Sequence, residues 1–361
     1  MHFGLSEEQV MLEEMLNRYL VDTFPLDAVR DQLGHACSND AWQGLIDLGV
    51  CGLLISEEFG GSQVSLLHAQ VVAEQMGRAI VPLPYLGTVI VAPMALRFLG
   101  SEEQQQRYLP EIALGSSRFG VSLGAVSAPR ASFALSLDGT KVSGRCAMTV
   151  DALDATHFLL AVDENAAVIV PHNAAGLTVE WLTNVDKTRS YAVLTLDAVE
   201  AEILSSENGI YQLVAIARVA IASDSFGAAQ HMFETARAYA LERYQFNRPI
   251  GSFQGLKHQL AKMLTDLEPC RSLLWYTAHS FDATRDEFEL HSCYAKSLVD
   301  DVSKFVARTA IEIHGGMGYT ELLGLHLWFK RIEANRQLLG GPMLTRKRAA
   351  QLQNWQPDAA S

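Results

Sequence analysis

The amino-acid sequence predicts a mostly helical α+β protein in which a helical region, a β region and a bundle of long helices follow one another along the chain. Two capping boxes begin helices within the first 112 residues. Short runs rich in valine, leucine, threonine and aromatic residues, typical of strands, lie between residues 113 and 205. Long helical patterns with short connections occupy the remainder and indicate a bundle. We therefore predict three domains, at residues 1–112, 113–205 and 206–361.

The N-terminal domain is predicted as helices separated by a glycine-containing loop. The segments SEEQ at residues 6–9 and 101–104 both fit the S-x-x-Q capping box, which satisfies backbone N–H groups at a helix start. The paired glycines of LLISEEFGGSQVS, residues 53–65, indicate a loop between helices. The uncharged run at residues 79–96 contains three prolines, so it predicts a buried turn and helix rather than a membrane-spanning helix.

Strands and long helices are expected in the other two domains. The predicted strands are AAVIVP, GLTVEWL and YAVLTLDAV, at residues 166–171, 176–182 and 191–199. The four long helices are expected at residues 214–243, 254–281, 287–314 and 325–339. Asn-Arg-Pro at residues 247–249 ends the first of these helices, and Gly315-Gly316 ends the third.

The composition excludes several classes of protein. Lysine and arginine number 28 and aspartate and glutamate 41, a net charge of -13, which argues against nucleic acid as a partner because phosphates need a basic face. The five cysteines form no CxxC pair, so neither a disulfide framework nor a zinc site is predicted. The opening MHFGLSEEQ has no basic segment followed by an apolar one, so we predict no signal peptide and expect a soluble, cytoplasmic protein.

Two segments of the C-terminal domain suggest a phosphate-rich ligand. RYQFNRPIGSFQGLKHQLAKM, residues 243–263, places a guanidinium, glutamine side chains and a helix start in one neighbourhood, which suits a pyrophosphate. ARTAIEIHGGMGYTE, residues 307–321, contains three glycines that allow another backbone or a ligand to approach closely. Taken singly, an ordinary helix hairpin explains the first segment and a helix C-cap explains the second.

Taken together, in this order and at this separation, the two segments resemble those of the acyl-CoA dehydrogenase family. The resemblance extends over nearly the whole chain and includes LSEEQ, LISEEFGG, GSEEQQQRYLPEIALG and NVDKTRSYAVLTLD. It implies an N-terminal helical domain, a central β-barrel-like domain and a C-terminal four-helix bundle, assembled as a tetramer. It also implies a flavoprotein oxidoreductase that uses FAD, acts on an acyl-CoA substrate and passes electrons to an electron-transfer protein.

In this family FAD lies between subunits, and its adenine and pyrophosphate half contacts an Arg-x-x-Phe-Gly segment and a Gly-Gly segment of a neighbour. The resemblance therefore implies these cofactor-binding residues: Arg243, Gln245, Phe246, Phe253, Gln254, Glu312, Gly315 and Gly316. Two positions depart from the family pattern, since Asn247 stands where glycine is usual and Glu312 where glutamine is usual. Because a carboxylate repels pyrophosphate, we expect Glu312 to point elsewhere, to pair with a cation or to be protonated.

The family's catalytic base is missing from both of its usual positions. This base, nearly always a carboxylate, removes the α-proton of the thioester. Leu339, followed by Gly340, matches one position, and Ala217, followed by Arg218, matches the other. The Thr-Glu-Pro…Gly-Ser-Asp segment that holds the flavin ring is also absent from residues 122–139. The resemblance therefore leaves the catalytic residue unknown.

Three interpretations follow from this pattern. The favoured one is a hetero-tetramer in which this chain completes the FAD site and a homologue supplies the base. The second is a homomeric enzyme with Asp224 as a relocated base, since Asp224 lies two turns after Ala217 on one helix face. Hydrogen bonds to neighbouring helix groups, or pairing with an arginine such as Arg218, explain Asp224 better. The third is a structural or binding relative without flavin. The acyl-CoA stays open, with a lean towards bulky thioesters of lipid or steroid catabolism.

The basic stretch HLWFKRIEANRQLLGGPMLTRKR, residues 326–348, contains six lysine and arginine residues and one acid. We interpret its cations as a solvated face near a phosphate-rich ligand. Its acid, Glu333, lies between Arg331 and Arg336 at helical spacing, which predicts a surface ion pair.

Overall fold

The structure, a computed structural model, describes residues 4–129 and 134–355 and confirms the predicted mostly helical α+β fold, in which helices precede and follow a set of strands along the chain. The described helices are α1 (Glu7–Thr23), α2 (Leu26–Gln32), α3 (Asn39–Asp47), α4 (Leu66–Arg78), α5 (Ala92–Leu99), α6 (Glu102–Ala113), α7 (Gly124–Ser127), α8 (Gly209–Glu242), α9 (Gln254–Ala283), α10 (Arg285–His314), α11 (Leu325–Gln337) and α12 (Pro342–Leu352). The described strands are β1 (Phe119–Ser122), β2 (Leu135–Asp138), β3 (Lys141–Val150), β4 (His157–Ala161), β5 (Ala166–Pro171), β6 (Leu177–Trp181), β7 (Tyr191–Glu200), β8 (Glu202–Ser205), β9 (Tyr244–Gln245) and β10 (Arg248–Pro249).

Both predicted capping boxes are present, at the starts of α1 and α6. The hydroxyl of Ser6 accepts a hydrogen bond from the N–H of Gln9 at 3.3 Å, and the side chain of Gln9 accepts one from the N–H of Ser6 at 2.9 Å. Ser101 and Gln104 repeat both bonds. These side chains satisfy N–H groups that have no partner within the helix, so each helix start is fixed by local sequence.

The apolar run at residues 79–96 forms a buried turn and helix, as predicted. Ile80 adopts the left-handed conformation, with φ 51°. Leu86–Val91 then forms a π-helix that continues into α5, with Pro93 in its first turn. Residues 85–96 are buried. Within the described part of the chain, no helix is long and apolar enough to cross a membrane.

The loop predicted at residues 53–65 closes on itself through backbone hydrogen bonds. The N–H of Gln63 donates to the carbonyl of Ile55 at 2.8 Å, and the N–H of Val64 donates to the carbonyl of Leu53 at 2.9 Å. A Cβ on Gly61 would lie 2.1 Å from the Ile55 carbonyl oxygen. Only glycine therefore permits this loop closure.

The chain divides into two compact units. One unit contains Ala28–Ala69 and Pro82–Ala220, and the other contains Met1–Asp27, Gln70–Val81 and Ile221–Ser361. The boundary between them falls within α8. The three-domain division drawn from the sequence, with boundaries after residues 112 and 205, stays a prediction.

The first unit is organised around a sheet of eight described strands, in the order β6-β7-β3-β1-β4-β5-β8 with β2 paired to β3. β1 and β4 are parallel, whereas the other described pairs of this sheet are antiparallel. Buried side chains from several strands, among them Phe158, Val168 and Leu194, form its core. The three strands predicted from the sequence coincide with β5, β6 and β7 to within a residue at each end.

The second unit is a bundle of long helices. The four predicted helices correspond to α8 through α11, although α8 begins at Gly209 rather than at residue 214. α4 and α8 cross with their backbones in contact, since a Cβ on Gly77 would lie 1.9 Å from the carbonyl oxygen of Asp224. A Cβ on Gly227 would likewise lie 1.9 Å from the carbonyl oxygen of Glu74. Two glycines therefore set the closeness of this crossing.

Candidate functional site

The segment between α8 and α9, predicted to contact the pyrophosphate of FAD, folds as a β-hairpin with a two-residue turn. Gln245 pairs with Arg248 across β9 and β10, and Phe246 and Asn247 form the turn. Both turn residues are left-handed, with φ 53° and 63°, as a type I′ turn requires. Asparagine adopts this conformation more readily than other non-glycine residues, which explains how Asn247 can replace the usual glycine.

The side chains around this hairpin are exposed. The N–H of Arg243, directly after α8, donates to the carbonyl of Tyr239 at 2.8 Å. Within the described residues, the Arg243 guanidinium has no ion-pair or hydrogen-bond partner. Phe246 is 87% exposed, and the guanidinium of Arg248 lies 3.9 Å from the ring centre of Phe253. A guanidinium and two aromatic rings carried on one short segment suit an anion joined to a flat heterocycle.

The start of α9 adds backbone donors to this surface. Phe253 is the N-cap residue, and no side-chain capping bond satisfies the first turn among the described residues. The side chain of Gln254 lies alongside, with its Nε2 3.1 Å from Nε2 of His258. Because a helix start carries partial positive charge and free N–H groups, this turn can attract a phosphate.

The glycines after α10 leave the neighbouring surface open. Gly315 has φ 59° and ψ -139°. A Cβ on Gly315 or Gly316 would meet no described atom within 4 Å. Glu312 pairs with Arg308 of the same helix at 3.1 Å, which is one of the outcomes expected for this carboxylate. Open backbone at Gly315 and Gly316 therefore leaves room for a neighbouring molecule.

One aromatic contact brings these segments to the same end of the helical unit. Tyr239, in the last turn of α8, stacks on His314, the last residue of α10, with ring centres 4.4 Å apart. The N–H of Ile250 donates to the carbonyl of Arg243 at 2.8 Å and keeps the hairpin against the end of α8. The residues present fit the adenine and pyrophosphate half of FAD, and their contact with it stays a prediction.

The two expected base positions carry no acid. Leu339 is half-buried in the turn between α11 and α12, with Gly340 beside it. Residues 334–357 contain no aspartate or glutamate at all. Ala217 is buried within α8, in the sheet-containing unit. Neither position can accept a proton from a substrate.

The stretch at residues 122–139, predicted to lack the flavin-ring segment, is described in part, since residues 130–133 lie outside the described residues. The hydroxyl of Ser122, at the end of β1, donates to the carbonyl of Ala147 at 3.1 Å. The hydroxyl of Ser127 donates to the carbonyl of Leu123 at 2.9 Å. Both hydroxyls therefore bond the chain's own backbone.

Asp224, the alternative base, lies in a buried ion pair. The guanidinium of Arg331 donates to both carboxylate oxygens, at 2.9 and 2.6 Å, and Asn335 donates to Oδ1 at 2.6 Å. Both charged side chains are 0% exposed. Arg331 lies on α11, so this partner comes from a different helix and was not expected from the sequence. Protonation of Asp224 would leave the Arg331 charge uncompensated in the interior, so Asp224 is ill suited to act as a base.

The basic stretch at residues 326–348 forms several ion pairs between helices, and the predicted solvated face is wrong for Arg331, which is fully buried. Four of its basic residues pair with acids of α8 or α10: Arg331 with Asp224, Arg336 and Arg346 with Asp301, and Arg348 with Glu289. Glu333 pairs with Lys304 of α10 at 3.3 Å rather than with its neighbours in α11. The stretch holds one acid of its own, so its cations find partners on other helices.

The sequence did not reveal that α11 has a buried face whose side chains form hydrogen bonds to other segments of the chain. Trp328, Arg331 and Asn335 are buried, and their spacing of three and four residues places them on one helix face. The indole N–H of Trp328 donates to the carbonyl of Arg78 at 3.0 Å, and Arg331 donates to the carbonyl of Val81 at 3.0 Å. The spacing alone could have revealed this face, although not its partners.

Comparison with known proteins identifies the class to which this fold and this site belong. Residues 6–116 match the model of the acyl-CoA dehydrogenase N-terminal domain, and residues 210–350 match that of the C-terminal domain. The chain is 30% identical over 346 residues to acyl-CoA dehydrogenase IpdE2 of Mycobacterium tuberculosis, covering 93% of this chain and 94% of that protein. The chain belongs to the acyl-CoA dehydrogenase family of flavoprotein oxidoreductases, whose cofactor is FAD.

Two solved structures extend the comparison. A variant of the Tcur3481-Tcur3483 steroid ACAD is 26% identical with a TM-score of 0.88, and the match covers 98% of this chain and 99% of that chain. The ChsE4-ChsE5 complex from Mycobacterium tuberculosis is 22% identical with a TM-score of 0.90, and the match covers 99% of this chain and 100% of that chain. The second likeness concerns the fold alone.

Proposed function

We propose that this chain is one subunit of an FAD-dependent enzyme that removes hydrogen from the α and β carbons of an acyl-CoA thioester. In this proposal it completes the FAD site without supplying the catalytic base. The observation that carries the proposal is a contrast within the chain. A surface that suits adenine and pyrophosphate is present where α8, α9 and α10 meet, whereas Leu339 and Ala217 fill both base positions.

The chain's own residues would bind and orient the cofactor. Arg243 would donate charge-assisted hydrogen bonds to the pyrophosphate, and the first turn of α9 would add N–H donors. Phe246 and Phe253 would offer their faces to the adenine ring. When bound, FAD accepts a hydride from the β-carbon of the substrate.

Removal of the α-proton requires a carboxylate from another chain. A general base contributes roughly 10²–10⁴-fold to the rate, so its absence would nearly silence the reaction. Leucine and alanine cannot replace it, and Asp224 is neutralised by Arg331. A homologue that carries the base and holds the flavin ring would supply what this chain lacks, most simply as a hetero-tetramer. An electron-transfer protein would be the further partner of this assembly.

Similarity to a two-protein enzyme supports this assembly. The Tcur3481-Tcur3483 steroid ACAD is named for two proteins, and one of its chains matches nearly the whole of the present chain. The same likeness supports a bulky acyl-CoA substrate, such as a steroid side-chain thioester. The flavin-free alternative is disfavoured by Arg243, whose guanidinium has no partner among the described residues, and by the open glycines at the end of α10.

The test is anaerobic titration of the purified protein with a panel of acyl-CoA thioesters, recorded as bleaching of the flavin absorbance. The chain alone should show little or no bleaching. Mixed or co-expressed with a base-carrying homologue, it should form an assembly that binds FAD and is bleached on addition of substrate. Stoichiometric bleaching by the homomeric protein would overturn the proposal, as would an assembly that contains no flavin.

A further inference from the structure

The turn at residues 338–341, between α11 and α12, is tied to α10 at both of its ends by one carboxylate. Arg336, in the last turn of α11, donates to Oδ1 of Asp301 at 3.3 Å. Arg346, in α12, donates to Oδ2 of the same carboxylate. The chain between the two arginines therefore forms a loop whose ends meet at Asp301.

The turn enclosed by this loop has an unusual backbone. Leu339 has φ 58° and Gly340 has φ 89°, both in the left-handed region. Side chains with a Cβ rarely adopt this conformation, so Leu339 keeps it only where surrounding contacts hold the chain. The double ion pair of Asp301 is one such contact.

A second ion pair fixes the register of α11 along α10. Lys304 pairs with Glu333 at 3.3 Å, one turn from the pair of Asp301 with Arg336. The two ion pairs are oriented in opposite ways, because α10 contributes the acid, Asp301, to one pair and the base, Lys304, to the other. Because the helices run antiparallel, sliding α11 by one turn would bring Arg336 against Lys304 in one direction and Glu333 against Asp301 in the other. Like charges therefore disfavour both slipped registers.

α12 is held on α10 by a separate contact. Arg348 donates to the two carboxylate oxygens of Glu289 at 2.7 and 3.1 Å. Arg346 and Arg348 thus attach the helix after the turn to two different acids of α10. Asp301 is the acid shared by the helices before and after the turn.

We propose that Asp301 is a positioning residue that fixes the turn at residues 338–341. This segment takes the place of the family's base-bearing segment, a correspondence that rests on the proposed function. Asp301 holds the ends of α11 and α12 together, so that Leu339 presents an apolar, preformed wall where related chains present a carboxylate. The contribution of Asp301 is to local order rather than to overall stability, because its two arginine partners are partly exposed.

The test places a reporter at the start of α12 in the isolated chain. Met343 is 78% exposed, and Met343→Cys can carry a nitroxide label. The five native cysteines are buried, and burial raises the pKa of the thiols of Cys37, Cys51 and Cys270 to about 12, so labelling is selective. Asp301→Asn should increase the label's mobility about twofold in the electron paramagnetic resonance spectrum.

Asp266→Asn is the matched control, because Asp266 forms an exposed ion pair with Lys262 within α9. It should leave the label's mobility unchanged.

Asp301→Glu should restore most of the order, and Leu339→Gly should reduce the effect of Asp301→Asn by relieving the backbone strain. If Asp301→Asn fails to fold, Arg346→Gln changes an exposed residue and tests the ion pair between Arg346 and Asp301 instead. An unchanged spectrum in Asp301→Asn or, in that case, in Arg346→Gln would overturn the proposal. The readout needs no flavin, so it is independent of whether the proposed function holds.

Discussion

Asn247 shows how one residue can replace glycine at the candidate FAD site. Its backbone lies at φ 63° in a two-residue hairpin turn, and its neighbour Phe246 lies at φ 53°. Asparagine tolerates the left-handed region because its short polar side chain can bond locally, whereas alanine gains no such compensation. The departure from the family's glycine therefore leaves the hairpin intact.

Substitution at Asn247 should reveal this backbone requirement. Asn247→Ala should lower the free energy of unfolding by about 1 kcal/mol, because alanine pays the steric cost of the left-handed region without compensation. Asn247→Gly should be neutral or slightly stabilising. Urea denaturation of both variants measures the difference. Equal stability of the alanine and glycine variants would contradict the assigned turn geometry.

Arg243 should carry most of the electrostatic attraction for the cofactor. Arg243→Ala should weaken FAD retention in the assembled enzyme by about 1.5–3 kcal/mol, the value of a charge-assisted hydrogen bond. Arg237→Ala is the matched control, because Arg237 is also exposed on α8 but lies more than a turn before the hairpin. Flavin content after gel filtration gives the comparison. Equal occupancy in both variants would show that Arg243 is only a helix-end residue.

Asp224 should prove to be a structural residue rather than the catalytic base. Asp224→Asn should destabilise the fold by about 3–5 kcal/mol, because it leaves the fully buried Arg331 uncompensated. Any assembly that still folds should retain flavin reduction by substrate. Denaturation and anaerobic bleaching are measured on the same preparation. Loss of bleaching with unchanged stability and flavin content would restore Asp224 as the base.

At the scale of elements, α4 joins the helices of its unit through buried polar contacts. Glu74 accepts from Arg271 of α9 at 3.3 Å and from Gln70 at 3.1 Å. Burial raises the pKa of Glu74 to about 7, although the positive charge of Arg271 acts in the opposite direction. The folded state therefore keeps a proton that the unfolded chain has released above its ordinary pKa of 4.5.

This raised pKa predicts a pH-dependent stability. Because the folded state binds the extra proton between pH 4.5 and 7, the free energy of unfolding should fall as pH rises through that window, by about 3 kcal/mol from Glu74. Glu74→Gln should flatten this slope between pH 5 and 8 in urea denaturation. Glu268→Gln is the control, since Glu268 also contacts Arg271 but is exposed. Equal slopes in the wild-type protein and in Glu74→Gln would exclude the mechanism.

At the scale of the whole molecule, the proposed assembly divides cofactor binding and proton abstraction between two chains. Arg243→Ala in this chain should lower flavin content while the flavin that remains is reduced at the ordinary rate. Replacement of the base in the homologue by glutamine should leave flavin content unchanged and slow reduction by roughly 10²–10⁴-fold. Stopped-flow reduction of both assemblies separates the two effects. If each change altered both quantities equally, the division of labour would be wrong.

The sequence by itself determined the features that depend on near neighbours in the chain. The capping boxes at Ser6 and Ser101, the loop at residues 53–65 and the strands β5, β6 and β7 each follow from a few adjacent residues. The absence of acids around Leu339 is likewise visible in the sequence. Local hydrogen bonding and backbone preference fix such features before any distant contact forms.

Only the tertiary structure decided which charges meet. Asp224 and Arg331 are 107 residues apart, and Arg346 and Asp301 are 45 residues apart. Spacing along a helix could not indicate Arg331 as a partner of Asp224 or Lys304 as the partner of Glu333, because a sequence pattern contains only local geometry. Helix packing brought α11 and α12 onto α8 and α10 instead, and in the interior a charge pairs with whichever opposite charge packing places beside it.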